Sequence, residues 1–221
     1  MKIDCAIFDL DGTLVDSMLY WAKVPQTYLE KKGIIEKEDI ATEFLSMSLE
    51  ESAIFLKEKY QLQDSVKEIM QGINDCIEDY YLNNIPLKPG IKELLDELKT
   101  RNVKMAVATA TDKYLVIECL HKLNIESYFD YVITSSEVGS SKNNPEIYLR
   151  CAAYLKSTPE KSIIFEDLPY GIISSHQVGF HTVGLYDEAS KHLQKQIKDH
   201  SDFYFLSIDE KAKKTLLEFI A

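Results

Sequence analysis

The chain has 221 residues, of which 45% are hydrophobic, enough for one large domain or a domain with an insertion. Its formal net charge of −11 disfavours nucleic acid and anionic membrane as partners, so an anionic ligand needs a locally positive site. Cys5, Cys76, Cys119 and Cys151 are scattered without a CxxC or Cys/His spacing, which gives no zinc signature and reads as reduced core residues.

The first element is the apolar run from Ile3 to Phe8, which reads as a buried strand. It ends at Asp9, because Asp11-Gly12 is turn chemistry. The N-terminus enters this strand without a signal peptide, and no apolar run is long enough to span a membrane. The cytoplasm is therefore the expected compartment.

From Ser17 to Pro86 the apolar spacing is helical, with no strand-like run. Helices are expected near 17–32, 37–46, 49–60 and 65–82. Ser48 with Glu51, and Ser65 with Glu68, carry capping-box spacing. The aromatic residues Tyr28, Tyr60, Tyr80 and Tyr81 read as core packing. Trp21 stands apart, because it follows the Asp9 stretch by about three helical turns.

Pro86, Pro89 and Gly90 mark a linker, after which helices and strands alternate. Helices are expected near 90–101, 113–123, 145–155, 169–178, 188–199 and 208–219. Strands are expected at 104–108, 131–134, 162–165 and 181–184, with an edge strand at 203–205. The alternation implies a parallel sheet with right-handed crossovers.

Candidate site residues cluster where these strands end, the edge at which open α/β sheets bind ligands. Asp9 and Asp11 follow the first strand, and Glu166 and Asp167 follow Ser162 to Phe165. An ionised carboxylate at the end of an apolar strand is costly unless paired or holding a metal. Four such groups at one edge repel unless a divalent cation sits among them, and Mg²⁺ suits an all-oxygen set. Thr109, after the second sheet strand, offers a hydroxyl before free backbone N–H groups, a place for a phosphate oxygen or a simple helix cap. Lys142 lies in a polar loop just before Pro145, which opens a helix.

The stretch Ile7-Phe8-Asp9-Leu10-Asp11-Gly12-Thr13-Leu14-Val15-Asp16 resembles the first motif of the haloacid-dehalogenase superfamily. Ala108-Thr109-Ala110-Thr111, Lys142 with Pro145, and Glu166-Asp167 resemble the second, third and fourth, in the family's order. The resemblance implies an α/β, Rossmann-like parallel-sheet core at 1–16 and 87–221, with an all-helical cap inserted at 17–86. It implies Asp9 as nucleophile and Asp11 as general acid and base. Phosphate would be bound by Thr109, the Ala110 N–H and Lys142. Mg²⁺ would be held by Asp9, Asp11 through its carbonyl, and Asp167, with Glu166 as a further or water-mediated ligand. Asp11 argues for phosphoryl transfer over dehalogenation, since the dehalogenase branch lacks that residue. The family pattern commonly has Asp-Ser where Leu168-Pro169-Tyr170 stand here, so the loop facing the substrate differs.

Within the family the chain looks like the phosphoglycolate-phosphatase and β-phosphoglucomutase branch. The mutases carry cap cations where Leu49 and Ile73 stand here, and a switching His near the place of Trp21. The resemblance thus implies a phosphatase acting on a small phosphate ester, with Trp21 as a candidate substrate contact. A sugar phosphomutase and a catalytically silent ligand-binding relative remain the alternatives. Lys23 is a weak candidate for the Schiff base of a phosphonatase. A monomer is expected, with neither nucleic acid nor membrane as partner.

Overall fold

Cys5–Phe8 forms the central strand, β1, of a parallel sheet. The computed structural model describes residues 2–36, 38, 40–44 and 47–221. After β1 come helices α1 (Met18–Trp21), α2 (Val24–Lys31), α3 (Ala41–Phe44), α4 (Leu49–Tyr60) and α5 (Val66–Asn83). Next are α6 (Ile91–Thr100), β2 (Lys104–Thr109), α7 (Lys113–Lys122), β3 (Tyr131–Thr134), α8 (Ser135–Val138) and α9 (Glu146–Tyr154). The chain ends with β4 (Ser162–Glu166), α10 (Pro169–Gln177), β5 (His181–Leu185), α11 (Gln194–His200), β6 (Phe203–Phe205) and α12 (Glu210–Ile220).

The strand order is β3-β2-β1-β4-β5-β6, and every pair is parallel. The order reverses direction at β1 and β4, the crevice where α/β sheets of this topology bind ligands. β1 is buried on both faces. Ala6 and Phe8 pack with Val107 and Phe165 on one side, and Cys5 and Ile7 with Ala108 and Ile164 on the other. Burial pushes the Cys5 and Cys119 thiols up to about 12, so they are inert core groups. No described helix is long and apolar enough to cross a membrane.

The helices between β1 and α6 leave and rejoin the sheet through one paired crossing. The Asp16 N–H donates to Pro86 O at 3.0 Å, and the Lys88 N–H to Leu14 O at 2.9 Å. Helix α5 buries Ile69, Ile73, Ile77 and Tyr81, a stripe of i, i+4 spacing, and packs on α2, α4 and α7. The expected capping boxes at Ser48 and Ser65 both form.

The helix expected at 17–32 is two helices, broken at Ala22 and Lys23. Pro25 lacks an N–H and its ring would clash with a carbonyl one turn back, so it is confined to the first turn of α2. Of the helix expected at 37–46, Ala41–Phe44 is helical; Lys37, Asp39, Leu45 and Ser46 lie outside the described residues. The helix expected from 188 begins only with a 3-10 turn at Lys191–Leu193. Asp187 accepts the Ala189 N–H at 2.9 Å, a local turn that competes with helix there. Helix α8 was not expected, although Thr134 and Glu137 form a capping box for it.

Gly90 caps α6 at φ 81°, and a Cβ there would lie 1.8 Å from Ile208 O. Gly90→Ala combines a left-handed backbone with a clash against a carbonyl. A loss of roughly 2–4 kcal/mol in urea unfolding is the expected result.

Candidate active site

The strand register brings the acidic residues together. Phe8 pairs with Phe165, and the Asp9 N–H donates to Phe165 O at 3.0 Å, which sets Asp9 beside Glu166. Carboxylate oxygens of Asp9, Glu166 and Asp167 all lie within 4.8 Å of one another, and all three residues are buried. Lys142 reaches this group from the loop before α9, donating to Asp9 and, at 2.6 Å, to Glu166 Oε1. Tyr148 of α9 donates to the same Glu166 oxygen at 2.8 Å. The Ser174 hydroxyl holds the Lys142 carbonyl at 2.6 Å, fixing the loop.

Asp9 and Glu166 share one ammonium and Asp167 does not reach it, which leaves negative charge uncompensated. Burial pushes the Asp9 carboxyl well above its ordinary range, with Glu166 and Asp11 adding to the rise against the pull of Lys142. Asp167 is likewise raised, by burial first and then by Asp9 and Glu166. Burial alone would lower Lys142, but the facing carboxylates outweigh it and hold the amine protonated.

Asp167 is the most telling member. It is 0% exposed, and neither carboxylate oxygen has a hydrogen-bond partner among the described residues. A buried carboxylate left without partners is costly, and a divalent cation beside Asp9 and Glu166 would satisfy it. The backbone is shaped for this closeness. Gly12 has φ 78°, and a Cβ on it would lie 2.2 Å from Asp167 Oδ2. Lys88 braces the same turn, donating to Gly12 O at 2.7 Å, Tyr186 O at 2.9 Å and Asp187 at 2.7 Å.

Asp11 faces away from the acidic cluster, into a ring of donors. Its Oδ1 accepts from the Ser17 hydroxyl at 2.6 Å, from Trp21 Nε1 at 3.0 Å and from the Tyr81 hydroxyl. Its Oδ2 accepts from the Thr111 hydroxyl at 2.6 Å. Trp21 also donates to Tyr81 Oη at 2.9 Å, which aims the phenol proton at Asp11. Burial, then the charge of Asp11, raises the Tyr81 phenol well above its ordinary range, so it stays a donor. Tyr81 packs in the core as expected, its ring in the buried stripe of α5, and its hydroxyl in addition touches Asp11. Sequence spacing carries no signal for a contact across 70 residues. Thr111 and Ser17 lie close to the motifs and could have been read as their neighbours.

A cavity of about 860 Å³, mouth included, opens over these groups. Asp9, Asp11, Trp21, Ala110, Lys142 and Glu166 all line it. Leu49 and Ile73 line it too, as do Leu168 and Tyr170 from the divergent loop. Thr109 is fully buried and is not part of the lining; its hydroxyl accepts the Thr111 N–H at 3.1 Å. Lys23 is exposed and outside the lining, and Lys88 is taken up by the Gly12 turn. His176 and His181 lie beside Asp202, at 4.0 and 3.7 Å, and take no part in the cavity.

Residues 6–185 match the sequence model of the haloacid dehalogenase-like hydrolase family. A phosphorylated carbohydrates phosphatase from Thermotoga maritima is 27% identical over 181 residues, covering 82% of this chain and 84% of that protein. A probable pseudouridine-5'-phosphatase from Drosophila melanogaster is 26% identical, covering 91% and 92%. Among solved structures, β-phosphoglucomutase from Clostridium difficile superposes with a TM-score of 0.80 at 22% identity, covering 98% of each chain. At that identity the likeness is one of fold.

Proposed function

The chain belongs to the haloacid dehalogenase-like hydrolases and is a phosphomonoesterase of that family; on that premise we propose that it hydrolyses a small organic phosphate monoester, with Mg²⁺, through a phosphorylated Asp9. The observation that carries this reading is the orphaned Asp167 carboxylate, set against Asp9, Glu166 and a single ammonium. Asp9, Asp167 and the Asp11 carbonyl would hold the cation, with Glu166 as a direct or water-mediated ligand. A bound Mg²⁺ would neutralise phosphoryl charge and so let a carboxylate approach an anion.

Asp9 attacks phosphorus in line, and Asp11 protonates the departing oxygen. Lys142 and the Ala110 N–H stabilise charge on the phosphoryl oxygens, while Thr109 holds their loop by accepting the Thr111 N–H. Asp11 then takes a proton from water, which hydrolyses the aspartyl-phosphate. Segment 17–86 acts as a cap that excludes bulk water during transfer, with 1–16 and 87–221 as the catalytic domain. Trp21 and Tyr81 belong to that cap, so its position and the orientation of Asp11 are linked through two hydrogen bonds.

Tyr81→Phe tests that link. Loss of a hydrogen bond to a charged group is worth about 1.5–3 kcal/mol, so kcat should fall roughly tenfold or more, with KM little changed. A KM effect with intact kcat would place Tyr81 in substrate binding instead.

Leu49 and Ile73 favour hydrolysis over mutase chemistry, since neither can retain a second phosphate. The deciding assay supplies β-glucose 1-phosphate with a trace of the 1,6-bisphosphate, with Mg²⁺ present and then chelated. Inorganic phosphate should outpace glucose 6-phosphate by at least roughly tenfold, the retention lost with one charge-assisted contact. Glucose 6-phosphate as the main product would overturn the phosphatase reading in favour of the mutase.

A further inference from the structure

We propose that the alcohol portion of the substrate is an apolar chain or aryl group, carrying no second phosphate and few hydroxyls. This rests on the phosphatase reading and names its substrate class. Lys142 is the only Lys or Arg in the lining among the described residues, and Asp9 and Glu166 already engage it at the reacting end. The other polar groups there are similarly committed: Thr111 and Trp21 donate to Asp11. The rest of the described lining is mostly apolar, with Met18, Phe44, Met47, Leu49, Ile73 and Leu168. Among the described residues, only Ser52 and Tyr170 add further hydroxyls to the lining.

A polyol phosphate brought into such a space would surrender several hydrogen bonds to water and regain at most two. An alkyl or aryl group surrenders none and buries apolar area against the aromatic and aliphatic walls. A second phosphate would meet Leu49 and Ile73 with no counter-charge, under an overall negative field.

The test compares esters whose cleaved bond is the same, a primary alkyl phosphate: ethyl, butyl, hexyl and 2-phenylethyl phosphate against D-glucitol 6-phosphate and hexane-1,6-diyl bisphosphate, all with Mg²⁺. The leaving alcohols are similar in acidity, so kcat/KM reports how the pocket receives them. The expected result is a rise of about threefold per added methylene across the alkyl series. Hexyl and 2-phenylethyl phosphate should exceed glucitol 6-phosphate by at least about tenfold. A flat alkyl series, or glucitol 6-phosphate or the bisphosphate as the best substrate, overturns the proposal. Release from none of the esters would overturn the phosphatase reading instead. Calorimetric titration of the Mg²⁺-loaded protein with hexylphosphonate and with glucitol 6-phosphate then decides the pocket alone. Tighter alkyl binding supports the apolar site, and tighter polyol binding overturns it.

Discussion

Asp9→Asn should abolish turnover, lowering kcat by at least about 10⁴-fold, the scale on which loss of a covalent nucleophile is felt. The side chain is isosteric, so the β1 strand and its hydrogen bond from the Asp9 N–H to Phe165 O should persist. Lys142 would still hold Glu166 at 2.6 Å. Far-UV circular dichroism should therefore match the wild type. Acid-quenched wild type should carry labelled phosphate on the peptide containing Asp9, and the variant none. A folded variant with near wild-type rate, or label on another residue, would remove Asp9 from the nucleophile's place.

Asp167→Asn should cost activity while making the metal-free protein more stable. On activity, the loss of a ligand should weaken Mg²⁺ activation at least tenfold, by the scale that supporting ligands command. On stability, the folded Asp167 carboxyl is raised above its unfolded value near 3.8, chiefly by burial. The native state thus holds more protons than the unfolded state between that value and the raised one. Stability from this group is full below about pH 3.8 and is lost as pH rises through the folded value. In chelator, the variant should melt above the wild type, by a margin that widens as pH rises above the unfolded value near 3.8. Because the residue is fully buried, solvent screening does not shrink the effect. Added Mg²⁺ should close the gap by raising only the wild type. A variant that melts lower in chelator at pH 8 would mean that the Asp167 carboxylate has a partner in solution other than a cation.

Much of the site could be read in the chain, because its chemistry sits at the ends of strands. Asp9, Thr109 and Glu166-Asp167 each follow a short apolar run, and strand polarity alone puts those ends on one sheet edge. The breaks were harder. Pro25 split one expected helix, although its effect is local and was there to be read. The capping box of α8 was equally local, but four residues make too weak a periodic signal for a helix.

The chain alone therefore determined the order of elements, the parallel sheet and the acidic residues at its edge, since these follow from local apolar runs and turn chemistry. Tertiary structure decided how those residues are shared. The Phe8–Phe165 register sets Asp9 against Glu166, and the packing around it leaves Asp167 without a hydrogen-bond partner among the described residues. It also separated the two motif aspartates, giving Asp9 to Lys142 and Asp11 to a ring of hydroxyl and indole donors. Tyr81 joins that ring because α5 folds back over the sheet edge. Its side chain is apolar in the stripe and polar at its tip, and only the packing of α5 decides what the tip meets.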